Sequence, residues 1–453
     1  MARFVDDRLR ASRFAQTALS KIFPDHWSFM IGEIALYCLL ILVLTGTYLA
    51  FFFTASGRKV VYHGSYAPLQ GQTMSVAYKS VLDISFDVRA GLVMRQIHHW
   101  AALIFVAAII VHLCRVFFTG AFRRPRELNW MVGITLLVLA MANGFTGYSL
   151  PDDQLSGTGL RIAFSIVESV PVVGTWIAFL LFDGNFPSTE IISRFFVFHV
   201  MLVPGLLFAV LGGHLAILWH QKHTQFAAPG RTEDNIEGSR LWPTYALRSV
   251  GLFFLVFAVC AALGGLAQVN AVWLYGPFRP AAVSAASQPD WYIGWLEGAL
   301  RLMPPWEIRA FGHTVPNPFF PGIVLPGITF TLLYLWPFLE ARVTHDHDVH
   351  HLLDRPRDRP FRTGFGAGAL TFFMVLFLAG GNDVLADTFS LSLYAMTNVL
   401  RVALVVLPPS VGFVAYRLCK ELSRGPVKPL GGPVGYRVRR TATGRYEDVE
   451  PPP

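Results

Sequence analysis

Eight long apolar runs dominate the chain, at residues 30–53, 96–119, 130–150, 195–219, 248–269, 318–339, 364–381 and 391–418. Each is near the ~20 apolar residues that an α-helix needs to cross the hydrocarbon core of a bilayer. The pattern predicts an all-α polytopic membrane protein with eight transmembrane helices, named here spans A to H. Residues 1–28 mix basic and apolar positions and read as an amphipathic helix lying on the membrane surface. Residues 29–222 hold spans A–D, and residues 223–420 hold spans E–H with a long E–F loop. Residues 421–453 are rich in Gly, Pro and Arg, end in Glu-Asp-Val-Glu-Pro-Pro-Pro, and read as a disordered tail.

Composition agrees. Of 453 residues, 53% are hydrophobic and only 15% charged, where a soluble domain carries about 25% charged residues. The net charge of +8 raises the question of nucleic acid, but the placement of the charges answers it. Of the 37 Lys and Arg, 26 fall on the side of the termini and of the B–C, D–E and F–G loops, 10 fall on the other side, and Arg401 lies within span H. By the positive-inside rule the basic side is cytoplasmic, with both termini inside; the charge is a topology signal, and no nucleic-acid partner is expected. Cys38, Cys114 and Cys260 sit in apolar runs, and Cys419 stands alone; none has the spacing of a c-type haem, a cluster or a disulfide framework. The N-terminus lacks the apolar core of a cleavable signal peptide, so span A is expected to act as an uncleaved insertion signal.

Ionisable groups inside a bilayer are costly and point to function. Span B carries His98 and His112, fourteen apart; span D carries His199 and His214, fifteen apart. At 1.5 Å and 100° per residue, each pair is separated by about 21–22 Å, fourteen steps falling about 40° short of whole turns and fifteen overshooting by about 60°. Each helix thus offers two imidazoles on roughly one side, one near each membrane face. Two such helices make two stacked bis-histidine sites, which suits two electron-transferring b haems. Spans A–D are therefore expected to form a dihaem four-helix bundle. His99 points about 100° away from its neighbour and is not read as a ligand. Gly32 and Gly46 in span A, and Gly133 and Gly147 in span C, repeat the fourteen-residue spacing and would let a haem plane approach the helices. Arg95 and Arg115 each lie three residues from a ligand and suit haem propionates; a snorkelling interfacial arginine is the other reading of the same position.

These motifs resemble the cytochrome b family of quinol:cytochrome c reductases over residues 20–420. The resemblance rests on RQIHHW and VHLCR in span B, GYSLPDDQLSGTG after span C, RFFVFHVMLVP in span D and PDWY at Pro289–Tyr292 in the E–F loop. It implies a low-potential haem on His98 and His199 near the outer face and a high-potential haem on His112 and His214 near the cytoplasm. GYSLPDD, PDWY and HQKHTQF are similar to the actinobacterial branch. That branch implies menaquinol as substrate, a Rieske iron–sulfur subunit and a dihaem cytochrome c subunit as partners, an aa3-type oxidase in a supercomplex, and a homodimer. Asp290 stands where the family has glutamate, and the fifteen-residue spacing in span D matches the plastoquinol-oxidising relatives.

By the same resemblance Asp290, in an apolar aromatic loop, would accept a proton from quinol, with Tyr292 and Tyr148 as further catalytic residues and Pro289, Trp291 and Gly159 lining the pocket. An inner quinone site would draw on His220 or His223, since histidine titrates near neutrality; headgroup-facing residues at a helix end are the alternative. The position of the inner-site aspartate of mitochondrial relatives falls on Ser249 or its neighbour Arg248, so inner-site chemistry does not carry over. His345, His347, His350 and His351 read as a solvated loop rather than a metal tract. A passive dihaem anchor would need only four or five spans and no PDWY loop, and a cofactor-free transporter predicts internal repeats that the two halves do not show.

Overall fold

The computed structural model describes residues 6, 8, 11–282, 287–310, 312–423 and 437–449. Eight helices within it are long and apolar enough to cross a membrane: Ile31–Ala50, Gly91–Phe118, Glu127–Ser149, Ile191–Gln221, Leu241–Leu266, Phe320–Thr344, Pro360–Gly380 and Leu393–Leu422. They match spans A to H in order, with ends shifted by a few residues. Spans A and B pack together, as do C and D, and B against C joins the two pairs. Span E lies against both A and B. The buried centre is built by Cys38 and Ile41 of A, Ala101 and Val106 of B, Ala140 of C and Cys260 of E. Spans G and H pack closely, with Gly364 and Gly368 facing the backbone of Pro408 and Gly412, the small-residue contact that membrane helices use where hydrophobic driving force is absent. Large apolar side chains point outward along the bundle, among them Leu44, Leu266 and Val405 at 60%, 89% and 74% exposure. In water such a surface would be a liability; against lipid tails it is the expected exterior.

Span D is not a uniform α-helix. Phe198–Leu202 forms a π turn, closed by the Val203 N–H bonding the Phe198 carbonyl five residues back. Pro204 explains it: proline has no N–H, and its ring would meet the carbonyl four residues earlier in a regular helix. The wide turn absorbs one residue. Fifteen residues between His199 and His214 therefore rotate about as far as fourteen do in span B, which removes the overshoot expected from an unbroken helix.

On the face away from the termini, helices Gln154–Glu168 and Gly174–Phe182 fill the C–D loop, and Gly294–Leu302 fills part of the E–F loop. On the face of the termini, four short strands run in the order Ile22–Phe23, Ile236–Arg240, Arg437–Arg440, Tyr446–Val449, all antiparallel. This corrects the expectation of a disordered tail for residues 437–449. The free edge of Ile236–Gly238 offers backbone groups to the tail, and Arg439 donates to the buried Glu237 at 2.6 and 3.0 Å. Residues 424–436 and 450–453 lie outside the described residues. At the other end of the chain, Ala11–Leu19 is helical, as the amphipathic pattern requires.

Candidate functional site

The four span histidines fall into two pairs, each with one member on span B and one on span D. His98 and His199 have ring centroids 6.1 Å apart and ring planes at 73°. Two metal–imidazole bonds of about 2 Å, with about 1.1 Å from each nitrogen to its ring centre, put centroids about 6.2 Å apart. The pair is thus spaced for one iron. Its outward nitrogens are already committed. Thr45 donates its hydroxyl to the Ile41 carbonyl at 2.7 Å and lies 2.9 Å from His98 Nδ1, so it accepts from an Nδ1–H. His199 Nδ1 lies 2.9 Å from the Asn143 carbonyl, which only accepts. Both rings therefore carry the proton on Nδ1 and keep the Nε2 lone pair for a metal, the outer-sphere support usual for ligating histidine. His112 and His214 are near enough to interact electrostatically, and each Nδ1 is buried without a hydrogen-bond partner.

The glycine ladder falls in register with these pairs. A Cβ on Gly46 would meet the His98 ring, one on Gly147 the His199 ring, one on Gly32 the His112 ring and one on Gly133 the His214 ring. Each imidazole thus backs onto a helix position with no side chain. Arg95 donates to the Asn270 carbonyl at 2.7 Å but leaves Nε buried and unpartnered, and Arg115 leaves Nε and one terminal nitrogen in that state while its guanidinium stacks 4.3 Å over Phe29. A buried guanidinium with orphan donors is costly unless an anion completes it. Two paired imidazoles at each level, flat helix surfaces and two incomplete arginines fit a pair of haems with their propionates.

On the face away from the termini a cavity opens between the Gln154–Glu168 and Gly294–Leu302 helices, with Phe145, Tyr148, Gly159, Pro289, Ile293 and Glu297 in its walls. Tyr148, Gly159 and Pro289 are thereby brought together. Asp290, Trp291 and Tyr292 do not line it. Trp291 packs on the A–B–C–E core. Asp290 instead lies 2.9 Å from His99 Nε2, and Tyr292, almost fully buried, donates to its other oxygen at 3.3 Å. Sequence reasoning misses two residues. His99 reads along the chain as a non-ligand and nothing more, and its actual contact lies 191 positions away. Glu297 lines the cavity paired with Arg301 at 2.9 Å and carries no motif. Fully buried Asp153 caps the Gln154–Glu168 helix, accepting from Leu155 N–H at 3.1 Å and Ser156 Oγ at 2.7 Å. Complete burial pushes its carboxyl up to about 6 against these bonds, which pull it down.

On the side of the termini, His220 is exposed while His223 is half-buried, with an orphan Nε2. Burial, then Lys21, Arg126 and Arg115 nearby, pushes the His223 imidazole down to about 3. It is therefore neutral at pH 7, which removes the reason for expecting it to supply protons. His345 and His347 are exposed; His350 is held by Asp346 at 2.8 Å and His351 by Arg126 at 2.8 Å.

The family model "Cytochrome b(N-terminal)/b6/petB" matches residues 103–277. The cytochrome bc1 complex cytochrome b subunit of Streptomyces coelicolor is 50% identical over 455 residues, covering 100% of this chain and 83% of the relative. That of Mycobacterium tuberculosis (strain H37Rv) is 50% identical over 454 residues, covering 100% and 82%. That of Corynebacterium diphtheriae is 50% identical over 420 residues, covering 93% and 78%. A solved hyperthermophilic respiratory complex III shares the fold at TM-score 0.67 and 19% identity, over 92% of this chain and 100% of that one. The eight spans and the identity along the whole chain agree: this protein belongs to the cytochrome b subunits of the cytochrome bc1 complex.

Proposed function

We propose that the chain oxidises quinol at the cavity beside Tyr148, Gly159 and Pro289 and returns electrons to quinone near the opposite face, as the haem-carrying subunit of a proton-translocating quinol:cytochrome c reductase. The observation that carries this is the pairing of His98 with His199 at 6.1 Å, with Nδ1 of both rings already engaged. His98 and His199 would hold one b haem, His112 and His214 the second, with Gly46, Gly147, Gly32 and Gly133 behind the rings and Arg95 and Arg115 on the propionates. When bound, the haems carry single electrons across the membrane. Quinol oxidation releases two electrons and two protons. Asp290, adjoining the cavity wall at Pro289 and held by His99 and Tyr292, takes up a proton on the outer side. One electron leaves to a Rieske iron–sulfur partner, and a cytochrome c subunit, dihaem in this branch, receives it next. The likeness of GYSLPDD, PDWY and HQKHTQF to the actinobacterial branch is what supports menaquinol as the substrate, a homodimer and a supercomplex with an aa3-type oxidase, and the placement of Lys and Arg supports a bacterial cell membrane location with both termini cytoplasmic. A reduced-minus-oxidised spectrum of the purified complex, with haem counted per chain through a redox titration, tests it. Two b haems of separable potential are expected, with loss of one in His98→Ala or His199→Ala. A colourless, well-folded protein sinks the reading.

A further inference from the structure

Span A begins with a carboxylate. Glu33 lies in the first turn of Ile31–Ala50, next to Gly32, whose missing side chain would touch His112. A carboxylate within a span is costly, most of all near the bilayer centre and less near its edge. Glu33 is met by three hydroxyls and, among the described residues, by no paired cation. Tyr245 donates to Oε1 at 2.5 Å, Ser249 to Oε2 at 2.6 Å, and Tyr37 to Oε2 at 3.2 Å. Tyr37 and Ser249 are themselves 2.5 Å apart. The adjacent guanidinium, Arg248, is taken by Asp25 at 2.6 Å. Hydroxyls both donate and accept, so a carboxyl joined to three of them forms a short chain along which a proton can pass.

The cluster lies close to His223. Phe23 packs at a tilt against Tyr245, with centroids 4.4 Å apart, and against His223 at 4.3 Å, so the orphan Nε2 of His223 and the Glu33 cluster share one aromatic neighbour. A serine on span E points its hydroxyl at an acid on span A.

We infer that Glu33 supplies the protons for quinone reduction at the inner site, through the hydroxyls of Tyr245 and Ser249, with His223 Nε2 bonding a quinone oxygen. The inference rests on the proposed quinone-reducing site at this face. Two electrons arrive singly, one from each of two quinols oxidised at the opposite face, the other electron of each having gone to the Rieske partner. An O–H bond forms at each quinone oxygen as an O–H bond of the Glu33 carboxyl breaks, and the carboxylate is reprotonated from water at the basic face after each transfer. A purely structural role, with Glu33 joining spans A and E and favouring the helix N-terminus, is the competing account.

The test uses the whole complex with the outer site blocked by an inhibitor, and follows re-oxidation of the pre-reduced b haem by added menaquinone. Quinone retained on purification and the carboxyl band in the infrared difference spectrum of reduction are read in parallel. Glu33→Gln should keep both haem spectra and the bound quinone, lose a carboxyl band, and slow re-oxidation on the order of 100-fold, the scale of general acid catalysis. Placing the acid across the interface, with Glu33→Ser and Ser249→Asp together, should restore the rate where Glu33→Ser alone does not; a structural hydrogen bond would not move the infrared band with it. Wild-type rate in Glu33→Gln, or a band that survives it, overturns the assignment. If Glu33→Gln fails to assemble, a wild-type carboxyl band unmoved in Glu33→Asp overturns it. If quinone is neither bound nor reduced at this face even in the wild type, the underlying site reading falls as well, a result distinct from the others.

Discussion

Substituting the four ladder glycines by alanine, one at a time, should produce graded and opposite effects. In a helix interior alanine is more favourable than glycine by about 1 kcal/mol. Against this stands the contact that the new methyl makes with an imidazole. At Gly133 the Cβ would sit 3.7 Å from His214 Cε1, an ordinary contact, so Gly133→Ala should be neutral or stabilising. At Gly32 the nearest atoms of His112 are 3.2 and 3.3 Å away, and at Gly46 His98 Cε1 is 3.0 Å away, so the ring must yield by a few tenths of an ångström. At Gly147 the methyl overlaps the His199 ring, at 2.9 Å from both nitrogens and closer still to Cε1. That ring cannot retreat freely, because its Nδ1 is bonded to the Asn143 carbonyl. Overpacking of about 1–3 kcal/mol plus a lost hydrogen bond of about 1 kcal/mol, less the helix gain, leaves a net loss of about 2 kcal/mol. That corresponds to roughly 30-fold in affinity for the outer haem. The assay is haem per chain with a redox titration on each purified complex. Expected is selective loss or shift of the outer haem in Gly147→Ala, a smaller shift in Gly46→Ala, and two intact haems in Gly133→Ala. Full haem content at unchanged potential in Gly147→Ala, or haem loss confined to Gly133→Ala, would refute the placement of the rings.

Thr45→Val removes the acceptor of the His98 Nδ1 proton and leaves a buried donor unsatisfied, at about 1–3 kcal/mol; a redox titration should show the outer haem shifted or weakly held and the inner one unchanged. His99→Leu, which frees Asp290, should lower the steady-state quinol oxidation rate with both haems retained, and His99→Gln, which keeps a donor, should be milder. Because the folded pKa of Asp153 is raised to about 6, above about 3.9 in the unfolded chain, its contribution is fully present below about 3.9 and is lost as pH rises through about 6, by about 3 kcal/mol in all. Asp153→Asn should flatten that part of the melting-temperature profile, while Asp153→Ala also loses the cap, worth about 1 kcal/mol. Deleting Leu202 together with Pro204→Ala should convert the π turn into regular helix and retain both haems by spectrum, whereas deleting Ala209, in the regular helix between the two ligands, should abolish at least one.

What the sequence makes legible is whatever repeats locally. A span is a run of apolar residues, and a two-level ligand ladder is a spacing of fourteen on one helix, so spans A–D, the four histidines and the four glycines are all readable along the chain. The fifteen-residue spacing of span D misleads when rotation is counted on a regular helix, although Pro204, the cause of the π turn, stands five residues after His199. The remaining contacts are non-local. His99 finds Asp290, Arg439 finds Glu237, and Ser249 finds Glu33 across 191, 202 and 216 positions. The tail reads as disordered from its Gly, Pro and Arg content because the edge it pairs with belongs to the D–E loop. Glu33 vanishes into an apolar run for a related reason: a single acid at the start of a span looks like an interfacial residue until the partner helix is in place. Tyr245 and Ser249 reach that carboxylate only once span E lies against span A, so the convergence of hydroxyls on it is invisible along the chain.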